Sequence, residues 1–456
     1  MLFNSYAFLL IFLPLAVAVY AVADRIRQLR CPALIALSLA FYSYWDVRFL
    51  PLMIVSILGN WWLASVYAAT KRGELITAGI AANLALLGFF KYMNFFADNL
   101  ALLGLPLPRW ELALPLGISF FTFHHVMYLV DLGKGRAPLF PLDRYALYIC
   151  FFPQAIAGPL ARWSEVMHQF GRRAFRQGFE QRVALGAAFI ILGLAQKIFL
   201  GDPLGDHVTP VFEAAAKGTL TSAQAWVGTL SFTFQIFFDF SGYSDIAIGL
   251  GLVFGVVLPR NFDAPYRAVS LQDFWRRWHM TLSRFLRDYL YIPLGGSRFG
   301  LLSHLSALTV TMLLGGLWHG AGWTFVLWGA AHGLGLAVGV LWRRFVPLTL
   351  PSAVGWALTF VIVMLTWILF RAPNLDVALA MFAALAGDPG FTTQQGWRLI
   401  GVAAACAILV PPSYRVAQWL TEEPRKLAAL ALGVTAIIIL VQLGRDTAYE
   451  FIYFQF

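Results

Sequence analysis

The chain has 456 residues, of which 60% are hydrophobic and 12% charged, and its formal net charge is +10. A soluble domain usually has about 45–50% apolar and about 25% charged residues, so this composition excludes a soluble enzyme of this size. It also excludes a disordered chain, which needs low hydrophobicity and high net charge. A polytopic membrane protein remains, and at about 20 apolar residues per crossing the length allows on the order of ten transmembrane helices.

The first apolar run, residues 5–23, predicts an uncleaved transmembrane helix rather than a signal peptide. Residues 1–8 contain no Lys or Arg, whereas Arg25, Arg27 and Arg30 follow the run directly. Positive charge after an apolar run marks its cytoplasmic end, so we expect the N-terminus to lie outside.

Apolar runs recur along the rest of the chain and predict 11 to 13 helices or re-entrant segments in total. They cover residues 31–45, 50–69, 75–93, 113–132, 145–160, 183–200, 223–258, 305–342, 352–370, 398–412 and 427–443. The stretches 223–258 and 305–342 are each long enough for two passages and contain glycines where a helix can break. Because the sequence has no fixed-period repeat and no polar linker, we expect one domain over residues 1–456.

Two polar loops interrupt this apolar pattern, and both carry excess positive charge. Residues 162–182 contain five arginines against two glutamates, and residues 259–300 contain seven arginines against three aspartates. Such an excess is typical of cytoplasmic loops, so we expect both loops to face the cytoplasm.

The second polar loop has the residue spacing of an amphipathic helix. Apolar side chains recur at three- and four-residue steps, and arginines take the other side. The apolar positions are Trp275, Trp278, Leu282, Phe285, Leu286 and Tyr289, and the arginines are Arg276, Arg277, Arg284 and Arg287. Such a helix lies in the membrane interface and could simply anchor to anionic headgroups. His279 falls on the apolar face, where anchoring needs no imidazole, and therefore indicates a further role.

An ionisable group at membrane depth is costly, which makes each one a candidate functional residue. His319 lies inside the stretch 305–342 between Trp318 and Gly320, with no carboxylate within ten residues. His332 follows thirteen residues later. A buried neutral imidazole is well suited to accept a proton near neutral pH.

The sequence contains no motif for a covalent nucleophile. It has no G-x-S-x-G elbow, no cysteine near a histidine and no glycine-rich phosphate loop. A lone base without a nucleophile favours direct transfer of an already activated group to a hydroxyl.

Other polar residues in the apolar runs favour structural roles. Asp239 and Asp245 are six residues apart, so a straight helix points them to different faces, and we expect them to hold helix ends or to pair with arginine. The adjacent His124 and His125 diverge by roughly 100° on a helix and lack a nearby carboxylate, so no metal site is predicted. The remaining histidines, expected to be solvated in loops or at helix ends, are His168, His207 and His304. The cysteines, expected to be small buried apolar residues, are Cys31, Cys150 and Cys406.

Several motifs occur together in chain order and carry a resemblance to a known family. They are FDFSGYSD at 238–245, FWRRWH at 274–279, RDYLYIPLGG at 287–296 and GLWHG at 316–320, with supporting blocks at 87–92, 116–120, 152–159, 370–372 and 451–456. Together they resemble the membrane-bound O-acyltransferase family, and most of all its bacterial alginate O-acetylation branch.

The resemblance implies a fold and a reaction. The fold is all-helical, with about eleven transmembrane helices plus re-entrant and interfacial helices around a central tunnel. The resemblance makes His319 the catalytic residue and places His279 in the tunnel on the cytoplasmic side. Acetyl-CoA would enter from the cytoplasm as the acyl donor, no cofactor would stay bound, and the acetyl group would leave toward the outer face.

We therefore expect an inner-membrane O-acetyltransferase of an alginate-like exopolysaccharide or a cell-wall glycan, with its catalytic core at about 225–342. His319 is expected to act as general base and His279 to polarise or position the thioester. The residues expected to bind the donor are Arg276, Arg277, Arg284 and Trp318. The expected acceptor is the polysaccharide or a periplasmic SGNH-type acetyltransferase. Beyond these we expect membrane lipid as a partner and no nucleic acid.

Two alternatives remain open at this point. His124–His125, the segment 132–135 and His304 differ from the pattern of many relatives, which leaves the acceptor open. One alternative is transfer of D-alanine from a carrier-protein thioester to teichoic acid. The other is a transporter or flippase in which His319 relays protons. Transporters often contain paired internal repeats, and none is visible in this sequence.

Overall fold

The computed structural model describes residues 1–105, 107–176, 178–391, 395–422, 426–443 and 451–452. These residues form helices joined by turns and loops, with no strand among the ranges described. The all-helical fold predicted from the sequence is therefore confirmed. Of the terminal block 451–456, residues 453–456 lie outside the described residues.

The α-helices are numbered in chain order. They are α1 (Leu13–Ala23), α2 (Arg30–Ser43), α3 (Leu50–Thr70), α4 (Gly73–Leu102), α5 (Ile118–Gly133), α6 (Leu142–Cys150), α7 (Phe152–Ala155), α8 (Trp163–Val166), α9 (Phe179–Gln196), α10 (Asp202–Gly205), α11 (Thr209–Ala216), α12 (Ser222–Val253), α13 (Leu271–Arg277), α14 (Met280–Leu286), α15 (Leu301–His319), α16 (Trp323–Phe345), α17 (Ser352–Arg371), α18 (Leu375–Ala384), α19 (Trp397–Leu409), α20 (Ser413–Glu422) and α21 (Lys426–Leu443). Short π-helical segments span Ala7–Phe12, Lys197–Gly201 and Arg287–Tyr291.

Among the described residues, eight helices are long and apolar enough to cross a membrane. They are Val47–Thr70, Gly73–Leu102, Phe179–Ala216, Ser222–Val253, Leu301–His319, Trp323–Phe345, Ser352–Arg371 and Lys426–Leu443. A ninth results if α19 and α20, which meet at a bend of 68°, count as one crossing. The segment Ala7–Ala23, predicted as the first crossing, is a shorter apolar helix. The chain is thus a multi-pass membrane protein, and the expected count of about eleven is not confirmed.

The chain divides into two compact units. The first consists of Met1–Leu194, Tyr243–Pro259 and Ala417–Glu450, and the second of Ala195–Gly242, Arg260–Val416 and Phe451–Phe456. All the residues predicted to be catalytic or to bind the donor belong to the second unit. That residues 1–456 form a single domain, with a catalytic core at about 225–342, stays a prediction.

In the first unit, a buried aspartate connects the end of α1 to the polar loop at 162–182. Asp24 is 1% exposed and accepts the backbone N–H of Ala174 at 2.9 Å and of Phe175 at 3.0 Å. Nε of Arg30 lies 3.4 Å from the same carboxylate. The amides and the guanidinium compensate the buried charge, so Asp24 holds the loop against the helix end.

The stretch 223–258, predicted as two passages, forms a single helix, α12. The glycines at which a break was expected, Gly242, Gly249 and Gly251, lie inside the helix and do not break it. A Cβ at Gly249 would come within 2.5 Å of the carbonyl oxygen of Gly186 in α9, so this glycine permits close helix packing. Unwinding would leave backbone groups unbonded where no water can replace the lost hydrogen bonds, which is why the prediction of two passages is wrong.

The stretch 305–342 forms two packed helices, α15 and α16, as predicted. A Cβ at Gly316 would lie 2.3 Å from the carbonyl oxygen of Phe325, and one at Gly329 would lie 2.3 Å from that of Met312. Only a residue without a side chain permits this approach, so the close packing of the hairpin depends on these two glycines.

Candidate active site

The helix predicted across 275–289 is interrupted near its centre. Helix α13 ends at Arg277, Trp278 is extended, and α14 begins at Met280. Between the two helices, His279 has φ +41° and ψ +53°, in the left-handed region that residues other than glycine seldom adopt. The prediction of one continuous amphipathic helix is wrong at this point.

Backbone hydrogen bonds to residues 261–263 cause the interruption. The N–H of Met280 donates to the carbonyl oxygen of Asn261 at 2.9 Å, and the N–H of Asp263 donates to that of Arg277 at 3.0 Å. These backbone bonds replace helical ones and offset the strain at His279. Spacing of apolar residues contains no information about such partners.

His279 is 1% exposed, and one amide side chain holds its ring. Nδ1 lies 3.1 Å from Oδ1 of Asn261, which also accepts the N–H of Thr281 at 3.3 Å and its hydroxyl at 2.8 Å. Because a backbone N–H can only donate, Oδ1 is an acceptor, and Nδ1 of His279 carries the proton. Burial lowers the pKa of His279 to about 3, so the ring is neutral and Nε2 carries a lone pair.

His319 is the last residue of α15 and is 6% exposed. Its ring centroid lies 4.9 Å from that of Trp318, 5.2 Å from that of Trp328 and 5.2 Å from that of Phe370. The C-terminal end of a helix carries partial negative charge, which stabilises the positive charge that a base acquires with a proton. Aromatic walls and a helix end therefore surround the predicted base.

Both predicted catalytic histidines have Trp318 as a neighbour. Its ring centroid lies 6.5 Å from that of His279 and 4.9 Å from that of His319. The structure thus brings together two histidines that stand forty residues apart in the sequence. Trp318 was predicted to bind the donor. It lies next to both histidines and does not line the arginine-rich cavity of the second unit, which is described next.

The second unit contains a cavity of about 470 Å³ with a basic lining. Its wall includes four arginines, Arg276, Arg284, Arg287 and Arg343, and one histidine, His304. No acidic residue is among the described residues that line it. Guanidinium groups match phosphate oxygens in both charge and geometry, so this cavity is suited to an anion with several phosphates.

The structure separates the three arginines predicted to bind the donor. Arg276 and Arg284 line the cavity, whereas Arg277 does not. Nε of Arg277 instead donates to a carboxylate oxygen of Asp273 at 3.0 Å, one helical turn earlier.

Three basic residues that line the cavity were not predicted to bind the donor. Arg287 lies on the predicted amphipathic helix. Arg343 belongs to a pair of arginines at the end of α16, and this pair was the feature of the sequence that could have indicated it. His304 was expected to be solvated, but it is partly buried and lines the cavity.

Helix α15 connects the cavity to His319. Thr311 and Met312, on this helix, line the cavity. His319 follows Met312 by seven residues, which corresponds to about 10 Å along an α-helix. The cavity wall and His319 are thus about two helical turns apart on one helix.

Asp239 lies inside α12 and not at a helix end. One carboxylate oxygen lies 2.6 Å from Nζ of Lys197, which also lies 2.7 Å from Asp202. The other oxygen accepts the N–H of Ile452 at 2.7 Å. The prediction that Asp239 holds a helix end or pairs with arginine is wrong, since its partner is the lone lysine of the apolar run 183–200. That lysine was itself a signal, because a charge at membrane depth needs a partner.

The adjacent histidines of α5, His124 and His125, are fully buried. The ring of His125 lies 3.0 Å from the hydroxyl of Ser56 and 2.6 Å from that of Tyr145, so it is part of the interior of the first unit. Within the part of the chain that the structure describes, no group of three His, Cys, Asp or Glu side chains could hold a metal ion.

Comparison with known proteins identifies the family. Residues 65–382 match the model of the MBOAT, membrane-bound O-acyltransferase family. The chain belongs to the membrane-bound O-acyltransferase family. The resemblance drawn from the motifs is thereby confirmed, and the protein is an acyltransferase rather than a transporter or flippase.

Two relatives of this acyltransferase are similar over most of their length. Peptidoglycan O-acetyltransferase from Helicobacter pylori is 40% identical over 428 residues, covering 86% of this chain and 80% of that protein. Probable alginate O-acetylase AlgI from Azotobacter vinelandii is 40% identical over 400 residues, covering 84% and 78%. Teichoic acid D-alanyltransferase from Streptococcus thermophilus is 29% identical over 238 residues, covering 50% and 57%. The catalytic roles of His279 and His319 stay predictions.

Proposed function

We propose that this acyltransferase moves an acetyl group from acetyl-CoA to a hydroxyl of a cell-envelope polysaccharide, with His319 as general base. The observation that carries the proposal is the continuity of α15, which lines the arginine cavity and ends at His319. A single helix thus connects a cavity whose lining suits phosphates to a candidate base.

The composition of the cavity supports coenzyme A as the carrier of the acyl group. Acetyl-CoA has several phosphates toward one end and a thioester at the end of a flexible arm. Four arginines line the cavity and could contact these phosphates, and one of them, Arg287, also pairs with Asp288 at 2.7 Å. The arm would then follow α15 from Met312 and bring the thioester to His319, about 10 Å further on.

His319 would take the proton of the acceptor hydroxyl as the hydroxyl oxygen attacks the thioester carbon. The C–O bond forms, the C–S bond breaks, and the proton passes from the imidazolium to the leaving thiolate. The rings of Trp318, Trp328 and Phe370 pack around His319 and would exclude water, which could otherwise hydrolyse the thioester.

His279 would act as a positioning acceptor. Its Nδ1–H is bonded to Asn261, so Nε2 accepts a hydrogen bond and cannot donate one in this tautomer. This arrangement supports binding of an N–H group of the donor arm. It does not support polarisation of the thioester carbonyl, which would require a donor.

The relatives support a polysaccharide as the class of acceptor. The two relatives that are 40% identical are named for O-acetylation of peptidoglycan and of alginate, and they cover similar shares of this chain. This equal similarity supports a glycan hydroxyl without selecting one polymer. In our proposal the enzyme lies in the inner membrane with its N-terminus in the periplasm. It delivers the acetyl group outward to the polysaccharide or to a periplasmic SGNH-type acetyltransferase.

Substitutions in the cavity test the donor assignment. Arg284→Gln and Arg343→Gln should each raise the KM for acetyl-CoA by about tenfold or more, because each removes a charged hydrogen bond. Arg344→Gln is the matched control, since Arg344 is adjacent and exposed but does not line the cavity. The KM is measured from coenzyme A release by the full chain in lipid nanodiscs, supplied with acceptor polysaccharide.

The same assay shows how the assignment can fail. Equal KM values for the Arg343 and Arg344 variants would contradict binding of coenzyme A in this cavity. Added salt should also raise the KM of the wild type, because exposed charges are screened within about 10 Å at 0.1 M.

A second candidate function is transfer of D-alanine from a carrier-protein thioester to teichoic acid. It is favoured by the similarity to a teichoic acid D-alanyltransferase, which extends over half of this chain. A carrier protein presents a single phosphate on its arm, whereas four arginines suit the several phosphates of coenzyme A. Supplying membranes with labelled acetyl-CoA or with labelled D-alanyl carrier protein separates the two functions by which label reaches the polymer.

A further inference from the structure

His332 occupies the interior of the second unit between the cavity wall and the surroundings of His319. It is 0% exposed. The indole N–H of Trp275, a residue that lines the cavity, donates to Nδ1 of His332 at 3.3 Å. The ring of His332 also lies 4.9 Å from that of Trp328, which in turn lies 5.2 Å from that of His319. One imidazole therefore contacts a wall of the cavity and a wall beside the predicted base.

The hydrogen bonds of His332 define its tautomer from both sides. An indole N–H can only donate, so Nδ1 is an acceptor. On the other side, Nε2 lies 3.0 Å from the hydroxyl oxygen of Thr366, and that hydroxyl donates to the carbonyl oxygen of Val363 at 2.9 Å. The hydroxyl must then accept from Nε2–H. Both sides give the same neutral ring, with its proton on Nε2.

This chain of bonds has a single polarity. It runs from Trp275 through His332 and Thr366 to the backbone of α17, and each bond in it has only one possible direction. Both ring nitrogens of His332 are engaged, so this histidine does not act as a second base. An apolar side chain of similar size would fill the space but would leave the indole N–H of Trp275 without its acceptor.

We propose that His332 is a positioning residue for the acyl donor, and that Thr366 sets its tautomer so that Trp275 is held as a wall of the cavity. This inference rests on the proposed function, because it takes coenzyme A to be the occupant of the cavity. It adds two residues, neither of which lines the cavity, to the set that determines donor affinity.

Thr366→Val isolates the hydrogen bond from the shape, because valine has nearly the same size and lacks the hydroxyl. The ring of His332 then either keeps a buried N–H without an acceptor or moves the proton to Nδ1. In the second case the ring N–H faces the indole N–H, donor against donor, and Trp275 loses its anchor. A change inside α17 should therefore weaken binding in a cavity that Thr366 does not touch.

The test measures coenzyme A binding to the full chain in lipid nanodiscs by titration calorimetry. Thr366→Val and Trp275→Phe should each raise the Kd by about fivefold, the size expected for one hydrogen bond. The double variant should bind no more weakly than Trp275→Phe alone, because both changes break the same chain of bonds. Thr366→Ser keeps the hydroxyl and should restore the Kd to within about twofold of the wild type, since the bond is retained.

Thr359→Val is the matched control for loss of a buried hydroxyl in α17. Thr359 is 5% exposed, and its hydroxyl bonds only to the helix carbonyl of Gly355 among the bonds that the structure shows. This variant should bind coenzyme A like the wild type. A weakened Thr359→Val protein would mean that general disturbance of α17 explains the effect, which would overturn the proposal.

Arg284→Gln separates failure of this inference from failure of the proposed function. If Arg284→Gln weakens binding while Thr366→Val does not, the donor assignment stands and the role of His332 is refuted. Effects of Thr366→Val and Trp275→Phe that multiply in the double variant would refute it as well. If neither Arg284→Gln nor Thr366→Val changes the Kd, coenzyme A does not bind here, and both proposals fall.

Discussion

The two histidines beside Trp318 differ in what holds them. His319 ends a helix among aromatic rings, whereas His279 is held in left-handed backbone and bonded to Asn261. The first environment suits a group that gains and loses a proton, and the second suits a group that stays neutral. Substitutions at the two positions should therefore have different consequences.

His319→Ala should lower acetylation by about 10² to 10⁴-fold, the usual contribution of a general base. The melting temperature should stay near that of the wild type, because a base that acts in the transition state need not stabilise the fold. The measurement is the acetyl ester content of the polysaccharide, with His168→Ala, an exposed histidine, as control. Near-normal acetylation, or an acetyl group trapped on the wild-type protein, would contradict this mechanism.

His279 should make the stability of the protein depend on pH. Burial lowers its pKa to about 3 in the folded protein, against about 6.5 in an unfolded chain, so between these values the unfolded chain binds more protons. The contribution of His279 to stability is therefore present above pH 6.5 and is lost as the pH falls toward 3, by at most about 1.4 kcal/mol per pH unit.

The variant His279→Asn removes this titration while keeping a residue that tolerates left-handed backbone. Its free energy of unfolding should decrease less between pH 7 and pH 5 than that of the wild type. Chemical unfolding in detergent at both pH values measures the difference. Equal losses in the two proteins would show that His279 is accessible to protons in the folded state.

At the scale of helices, the sequence predicts what depends on local pattern and misses what depends on distant partners. The pair α15 and α16 follows from a long apolar stretch with glycines at its centre. The interruption at His279 cannot be predicted from the local pattern, because hydrogen bonds to the backbone of residues 261–263 cause it. The glycines of α12 are equally ambiguous in the sequence, because a glycine permits either a helix break or close packing against another helix. The position of Gly186 opposite Gly249 shows that this glycine permits close packing.

Gly329→Ala should strongly destabilise the hairpin of α15 and α16. The new Cβ would lie 2.3 Å from the carbonyl oxygen of Met312, where backbone must shift to make room. Gly401→Ala, in α19, is the control, because a Cβ there meets nothing within 4 Å. The melting temperature in detergent should fall for the first variant and stay unchanged or rise for the second, because alanine is the better helix former. Equal melting temperatures would show that the helices can separate without cost.

For the whole molecule, composition and charge predict the class of protein, and the motifs predict the family. Neither could reveal that Asp239 pairs with Lys197 or that Arg343 joins the arginines of the α13–α14 region at one cavity. Those pairings join residues 42 or more positions apart, and a single sequence carries no record of which distant residues meet.

The orientation in the membrane rests on the arginines of the two polar loops. Arg172 and Arg298 are exposed, and each stands in a loop with excess positive charge. Arg172→Cys and Arg298→Cys should both react with thiol reagents only when the reagent reaches the cytoplasm. The wild type, whose cysteines are buried or partly buried, is the control. Labelling of either variant by an impermeant reagent in intact cells would reverse the proposed orientation.

The separation of seven residues between Met312 and His319 also fixes the direction in which the two side chains point. At 3.6 residues per turn, seven residues complete two turns to within about 20°, so the cavity wall and the base face the same side of α15. One added or deleted residue between them would turn His319 by about 100° away from the cavity, although His319 and the lining residues would all keep their identity. The proposed function therefore depends on the spacing of Met312 and His319 along the helix as well as on the identity of the two side chains.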